Sequence, residues 1–123
     1  MALIADSGGI YGLYDTSEEK HRAIKKAFEA ESGQVLIPTL VLCEIDYLLR
    51  SRIGIRAELD FIDSIRSGVF TMEPCTHEDL ARSAILIERY QELDLGLADA
   101  CFVACAERMN IHRILTVDER HFQ

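Results

Sequence analysis

Four acids stand where acids are uncommon. Asp6 ends the short apolar run ALIA, Glu44 interrupts LVLCEIDYLLRSRIG, Asp99 breaks an apolar stretch from Leu97 to Ala106, and Asp118 follows the run around Ile114, Leu115 and Val117. An ionised carboxylate buried without a partner costs several kcal/mol or gives up its charge. Such acids therefore need a partner or a task. Carboxylates drawn together repel one another, and a divalent cation is what compensates them. A ligand set of oxygens without His or Cys suits Mg²⁺ or Mn²⁺. A cation so held polarises a phosphodiester and lowers the pKa of a bound water for in-line attack. No Ser-His-Asp or Cys-His arrangement competes with that chemistry.

Each acid also has a plainer reading. Asp99 follows Gly96 closely, and a carboxylate in a first helical turn gains about 0.3–1 kcal/mol from the helix dipole. Glu44 shares a helical stripe with Leu40, Val41 and Leu48, whereas Asp46 lies with Leu42, Cys43, Leu49 and Arg50. Arg50 at i+4 offers Asp46 a surface partner, which favours Glu44 as the inward acid. Asp118 sits in DER, an ordinary setting for a solvated acid. Asp94 reads as a cap for the helix that follows, and Asp15, His21, His77, His112 and His121 read as turn or surface groups. Arg108, Arg113 and Arg120 together form a candidate phosphate-binding patch.

The elements that position these residues follow from periodicity. ALIA (2–5), QVLIP (34–38), VFTMEP (69–74) and the run at 114–117 read as short strands. Between them lie helical patterns. One begins after Asp6 with Ser7 near its N-cap, and one runs from the Thr16-Ser17-Glu18-Glu19 capping pattern to about Glu31. Others open at Thr39, span 55–68, start at Thr76 and continue to about Leu93, and run from Leu97 to a stop at Asn110. Leu97–Ala106 is apolar on every face, which predicts a buried helix. Alternation of strands and helices predicts an α/β fold: a short parallel sheet of four to five strands with helices on both faces. The carboxyl ends of parallel strands are where such folds place their sites, and Asp6 and Asp118 end strands.

The 123 residues fit one domain, 1–123, with 49% hydrophobic and 28% charged residues. No uncharged run is long enough to span a membrane, and the apolar N-terminus lacks a basic flank and carries Asp6, so a cytoplasmic location is expected. Cys43, Cys75, Cys101 and Cys105 lack metal-ligand spacing and read as packing residues. The net charge of −8 argues against binding nucleic acid by broad charge attraction. A role on nucleic acid then has to work through cations held by carboxylates or through a local basic patch, and an acidic surface also suits a basic protein partner.

The order ADSGGIYGLYD, VLCEIDYLLRSRIG and LGLADACFVACAERMNIHRILTVDERHF resembles that of PIN-domain nucleases, and most closely VapC-type toxins of toxin-antitoxin pairs. The resemblance spans almost the whole chain. It implies that Asp6, Glu44, Asp99 and Asp118 are metal-binding catalytic carboxylates for Mg²⁺, with Mn²⁺ as a substitute. It also implies Ser7 and Thr116 as hydroxyl neighbours, water as nucleophile and RNA as substrate. A homodimer and a cognate antitoxin, whose C-terminal segment can lie across the cleft, are the implied partners. Members usually continue past the motif resembling TVDERHF into a final strand, whereas this sequence ends at Gln123. A short C-terminal edge of the sheet, or a trimmed chain, is expected. Two other readings stay open: an RNA-processing PIN nuclease without an antitoxin, and a non-catalytic acidic module that binds a cation.

Overall fold

The computed structural model describes residues 2–117. Four strands, β1 (Ala2–Ala5), β2 (Gln34–Pro38), β3 (Thr71–Glu73) and β4 (Ile114–Leu115), form one parallel sheet in the order β3-β2-β1-β4. Helices α1 (Ser7–Tyr14), α2 (His21–Ala30), α3 (Leu42–Arg52), α4 (Ile55–Arg66), α5 (His77–Arg89) and α6 (Leu97–Met109) connect them. The expected α/β class and parallel sheet are borne out, with four strands among the described residues.

The pleat of β1 divides the core. Leu3 and Ala5 face a large cluster with Ile10, Ile24, Val41, Ile45, Leu49, Phe61 and Phe70, drawn from α1 to α4 and the segments just before α3 and β3. Ile4, pointing the opposite way, packs with Phe102, Cys105 and Ala106 of α6. Alternate side chains of one strand thus serve helices on both faces.

Several local expectations are corrected. Asp6, rather than Ser7, is the N-cap of α1, its side chain accepting from the Gly9 N–H at 2.8 Å. The Thr16-to-Glu19 capping pattern starts no helix: α2 begins at His21 without a side-chain cap. Asp15 has taken Ser17 instead, accepting from both its N–H and its hydroxyl. Thr39–Val41 forms a single 3₁₀ turn before α3. α5 stops at Arg89, and a separate 3₁₀ turn covers Gln91–Leu93. Asp94 caps the end of that turn in the left-handed region, and the N-cap of α6 is Gly96. Asn110 does end α6, at φ 55°.

α5 and α6 are locked together by charge. Thr76 and Asp79 form a capping box at the start of α5, and the buried Asp79 carboxylate receives the Arg108 guanidinium at 3.0 Å. Arg108 also reaches Glu73 at 3.1 Å, and Arg82 pairs with Glu107 at 2.9 Å. Burial pushes the Asp79 carboxyl up, but Arg108 and the Thr76 N–H outweigh it and hold it below its ordinary value of 3.8. A carboxyl lowered by folding adds stability above its unfolded pKa, and that stability is lost as pH falls through the folded value. Asp79→Ala removes the cap and leaves Arg108 without its buried partner, so a loss of about 3 kcal/mol is expected at pH 7. Urea unfolding of both proteins checks this, and the difference should shrink below roughly pH 4.

Candidate functional site

The sheet order creates a switch point at β1. The chain steps from β1 to β2 and β3 on one side, then returns to lay β4 on the other. In open parallel sheets, ligands bind in the crevice at the carboxyl ends where strand order reverses. Asp6 follows β1 and Thr116 follows β4, and the two strands pair Ile4 with Ile114 and Ala5 with Leu115. The next step of that register brings the side chains together: Thr116 Oγ1 donates to Asp6 Oδ2 at 2.5 Å. Asp6 Oδ1 holds the Gly9 N–H. The carboxylate is therefore fixed from two sides at the mouth of the crevice.

Close approach of α1 to β4 makes this possible. A Cβ on Gly9 would lie 1.9 Å from the Leu115 carbonyl oxygen, so only glycine lets the helix sit there. Gly8 and Gly12 meet side chains instead, those of Val117 and Ile24. Glycine weakens a helix interior by about 1 kcal/mol relative to alanine. At Gly9 that cost accompanies a contact no other residue permits.

Glu44 enters from α3. It lies in the first turn of that helix, and its Oε1 accepts a hydrogen bond from Ser7 Oγ, the residue next to Asp6. Two acids from distant segments thus share one hydroxyl-lined corner. Asp99 occupies the first turn of α6. Its neighbour Ala98 packs on the core cluster that includes Ala5, Ile10, Val41 and Ile45. Asp118 lies outside the described residues.

Two expectations about burial are overturned. Glu44 and Asp99 are exposed, and Asp6 is half-buried. α6 buries Ala100, Cys101, Phe102, Ala104, Cys105 and Ala106, but Leu97 and Asp99 face outward, so the helix is not buried all round. The residues are mostly small and apolar on every face, and pattern alone could not show which side met solvent. Nor does Asp46 take Arg50. Arg50 lies 3.7 Å from Glu58, and the neighbouring Asp46 carboxyl and burial push the Glu58 carboxyl up.

The two described members of the expected basic patch are engaged by acids. Arg108 is committed to Asp79 and Glu73, and Arg113 pairs with the buried Glu31 carboxylate at 2.6 Å. Arg120 lies outside the described residues, as does His121. His21 contacts the Gly12 carbonyl at 2.7 Å and His112 contacts Asn110, while His77 begins α5, exposed. A cavity of about 340 Å³ among Leu13, Tyr14, Phe28 and Phe70 is lined by none of the four acids.

The donor chemistry distinguishes two clusters of potential metal ligands. Among the described residues, one group of three potential ligands has donor atoms within 4.8 Å of one another: Cys75, Asp79 and Cys101. It is a poor cation site. Arg108 and Thr76 already engage Asp79. Burial and the Cys75 thiol push the Cys101 thiol up to about 12, and burial pushes Cys105 to about 11. The corner of Asp6 and Glu44, joined through Ser7, is looser, yet it offers hard oxygens, those of Glu44 exposed and those of Asp6 half-buried. Hydroxyls orient both carboxylates, much as outer-shell partners orient metal ligands. Ser7 and Thr116 are thus brought to the acids.

A family model described as PIN domain matches residues 4–123. Ribonuclease VapC26 of Mycobacterium tuberculosis is 29% identical over 120 residues, covering 98% of this chain and 89% of that protein. The fold resembles the crystal structure of VapC20 from Mycobacterium tuberculosis, a sarcin-ricin loop cleaving toxin. Its TM-score is 0.87 at 21% identity, over 97% of this chain and 92% of that one. A toxin-antitoxin complex from Klebsiella pneumoniae is similar at a TM-score of 0.74 and 21% identity, over 98% and 89% of the two chains.

Proposed function

Because the chain belongs to the PIN-domain family, we propose that it is a metal-dependent endoribonuclease and the toxin of a VapBC-type toxin-antitoxin pair. The observation that carries the reading is the corner at the β1–β4 switch point, where Asp6 is fixed by Thr116 and Gly9 and Glu44 is held by Ser7. Asp6, Glu44, Asp99 and Asp118 are the residues that would hold Mg²⁺, with Mn²⁺ as a substitute. Bound there, the ion supplies positive charge beside a phosphodiester and lowers the pKa of an attacking water.

The chain's own residues do the positioning. Thr116 and Gly9 each donate one hydrogen bond to Asp6 and orient its carboxylate. Ser7 restrains Glu44 in the same way. The net charge of −8 repels an RNA backbone, which makes the acids the place where RNA is held only when their charge is compensated. The same acidity suits an antitoxin segment carrying basic side chains. Exposed Ile55, Leu59 and Ile62 form one stripe on α4, an apolar surface that supports homodimer formation. No helix among the described residues is long and apolar enough to cross a membrane, which is compatible with a cytoplasmic toxin.

The test compares wild type with Asp6→Asn and Glu44→Gln on a short single-stranded RNA, with Mg²⁺ or with chelator. Cleavage that requires the ion and falls at least about 100-fold in both variants is expected, alongside weaker Mn²⁺ binding by calorimetry. Cleavage indifferent to chelator or to both substitutions overturns the catalytic assignment. Growth arrest relieved by co-expression of the adjacent reading frame supports the antitoxin, and arrest that no neighbour relieves favours a nuclease acting without one.

A further inference from the structure

The thiols of Cys75 and Cys101 lie 2.7 Å apart, well inside an ordinary non-bonded sulfur contact. Cys75 precedes the N-cap of α5 and is half-buried, whereas Cys101 is buried in the second turn of α6. The catalytic proposal uses neither. A disulfide needs its sulfurs about 2.05 Å apart, so a further approach of roughly 0.7 Å makes the bond. A tetrahedral soft cation requires the reverse, because two sulfurs each about 2.3 Å from one ion stand roughly 3.8 Å apart. Asp79, the third potential ligand grouped with them among the described residues, is engaged by Arg108. Geometry and charge therefore favour a covalent bond over a chelate.

We propose that Cys75 and Cys101 form a reversible thiol–disulfide site that reacts with low-molecular-weight disulfides such as oxidised glutathione. Cys75, the accessible member, is the entry point. Its thiolate attacks one sulfur of the small disulfide, forming a mixed disulfide and releasing one thiolate, which takes up the proton Cys75 gave to solvent. Cys101 then attacks the Cys75 sulfur, the bond to the remaining small thiol breaks, and that thiol leaves with the Cys101 proton. Two protein thiols are oxidised, and one small disulfide is reduced to two thiols. Cys43 is exposed and Cys105 contacts Arg108; the 2.7 Å approach of Cys75 to Cys101 is what sets the pairing.

The bond would join the segment before α5 to α6, two residues past Asp99, across a sequence separation of 26 residues. Arg108–Asp79 and Arg82–Glu107 already hold these helices together, so closure demands little movement. It fixes the helix that presents Asp99.

Reduced full-length protein is incubated with oxidised glutathione, digested without reductant and mapped by mass spectrometry. A peptide pair joined through Cys75 and Cys101 is expected, with a melting temperature raised on the order of 10 °C and restored by dithiothreitol. Cys75→Ser should lose both effects while keeping the reduced protein's melting temperature. If that variant folds poorly, Cys75→Ala and the wild-type peptide map still decide. A glutathione adduct that stays on Cys75, or linkage through Cys43 to a second copy, overturns the proposal. So does stoichiometric Zn²⁺ binding by the reduced protein that shields both thiols from alkylation and blocks the bridge.

Discussion

Asp99→Asn is expected to lower RNA cleavage on the order of 1,000-fold while the melting temperature stays within about 3 °C of wild type. The two halves of this result have separate physical origins. Asp99 is exposed in the first turn of α6, and that helix draws its N-cap from Gly96 without a side-chain bond. One structural contribution is charge against the helix dipole, about 0.3–1 kcal/mol. If Asp99 joins Asp6 and Glu44 in the proposed site, removing its negative charge also relieves repulsion, so the net change in stability is small. Cation binding has no such offset. Asparagine keeps the shape but supplies a neutral oxygen, and Mn²⁺ affinity by calorimetry should fall together with cleavage. Full cleavage with a melting temperature lowered by 5 °C or more would identify Asp99 as a turn acid and remove it from the proposed site.

The sequence made the first strands legible, because short apolar runs bounded by polar or turn residues are a strong local signal. β1 and β2 match ALIA and QVLIP residue for residue. Burial around α6 was not legible. A stretch of Ala, Cys, Val and Phe looks the same from every side, and tertiary packing alone turns Cys101 and Cys105 inward and Asp99 outward. Arginine partners were lost for a related reason. Arg108, a candidate for phosphate contact, is drawn to Asp79 across a separation of 29 residues, and Arg113 to Glu31 across 82. Such pairings depend on which elements become neighbours, and i,i+4 spacing carries no trace of them. Asp46 shows the same failure, since the nearby Arg50 was available in sequence yet goes to Glu58.

Gly9→Ala is expected to have the largest effect on stability, a loss of about 3 kcal/mol or more, although the same exchange within a free helix gains up to about 1 kcal/mol. The sign reverses because of what the methyl group meets. At Gly9 the added carbon lies 1.9 Å from the Leu115 carbonyl oxygen and 2.5 Å from its carbon, both backbone atoms of β4. At Gly12 it meets the far end of the Ile24 side chain at 2.5 Å, and a rotamer change can relieve that. Denaturant unfolding should therefore rank Gly9→Ala well below Gly12→Ala. Relief at Gly9 requires α1 and β4 to separate, and these are the two segments that carry Asp6 and Thr116. The hydrogen bond of 2.5 Å between them cannot survive that separation. Cleavage measured below the melting transition should accordingly fall in the Gly9 variant by more than its unfolded fraction explains, and stay near wild type in the Gly12 variant. If the two variants behave alike, the tight α1–β4 contact is not what sets the carboxylate in place.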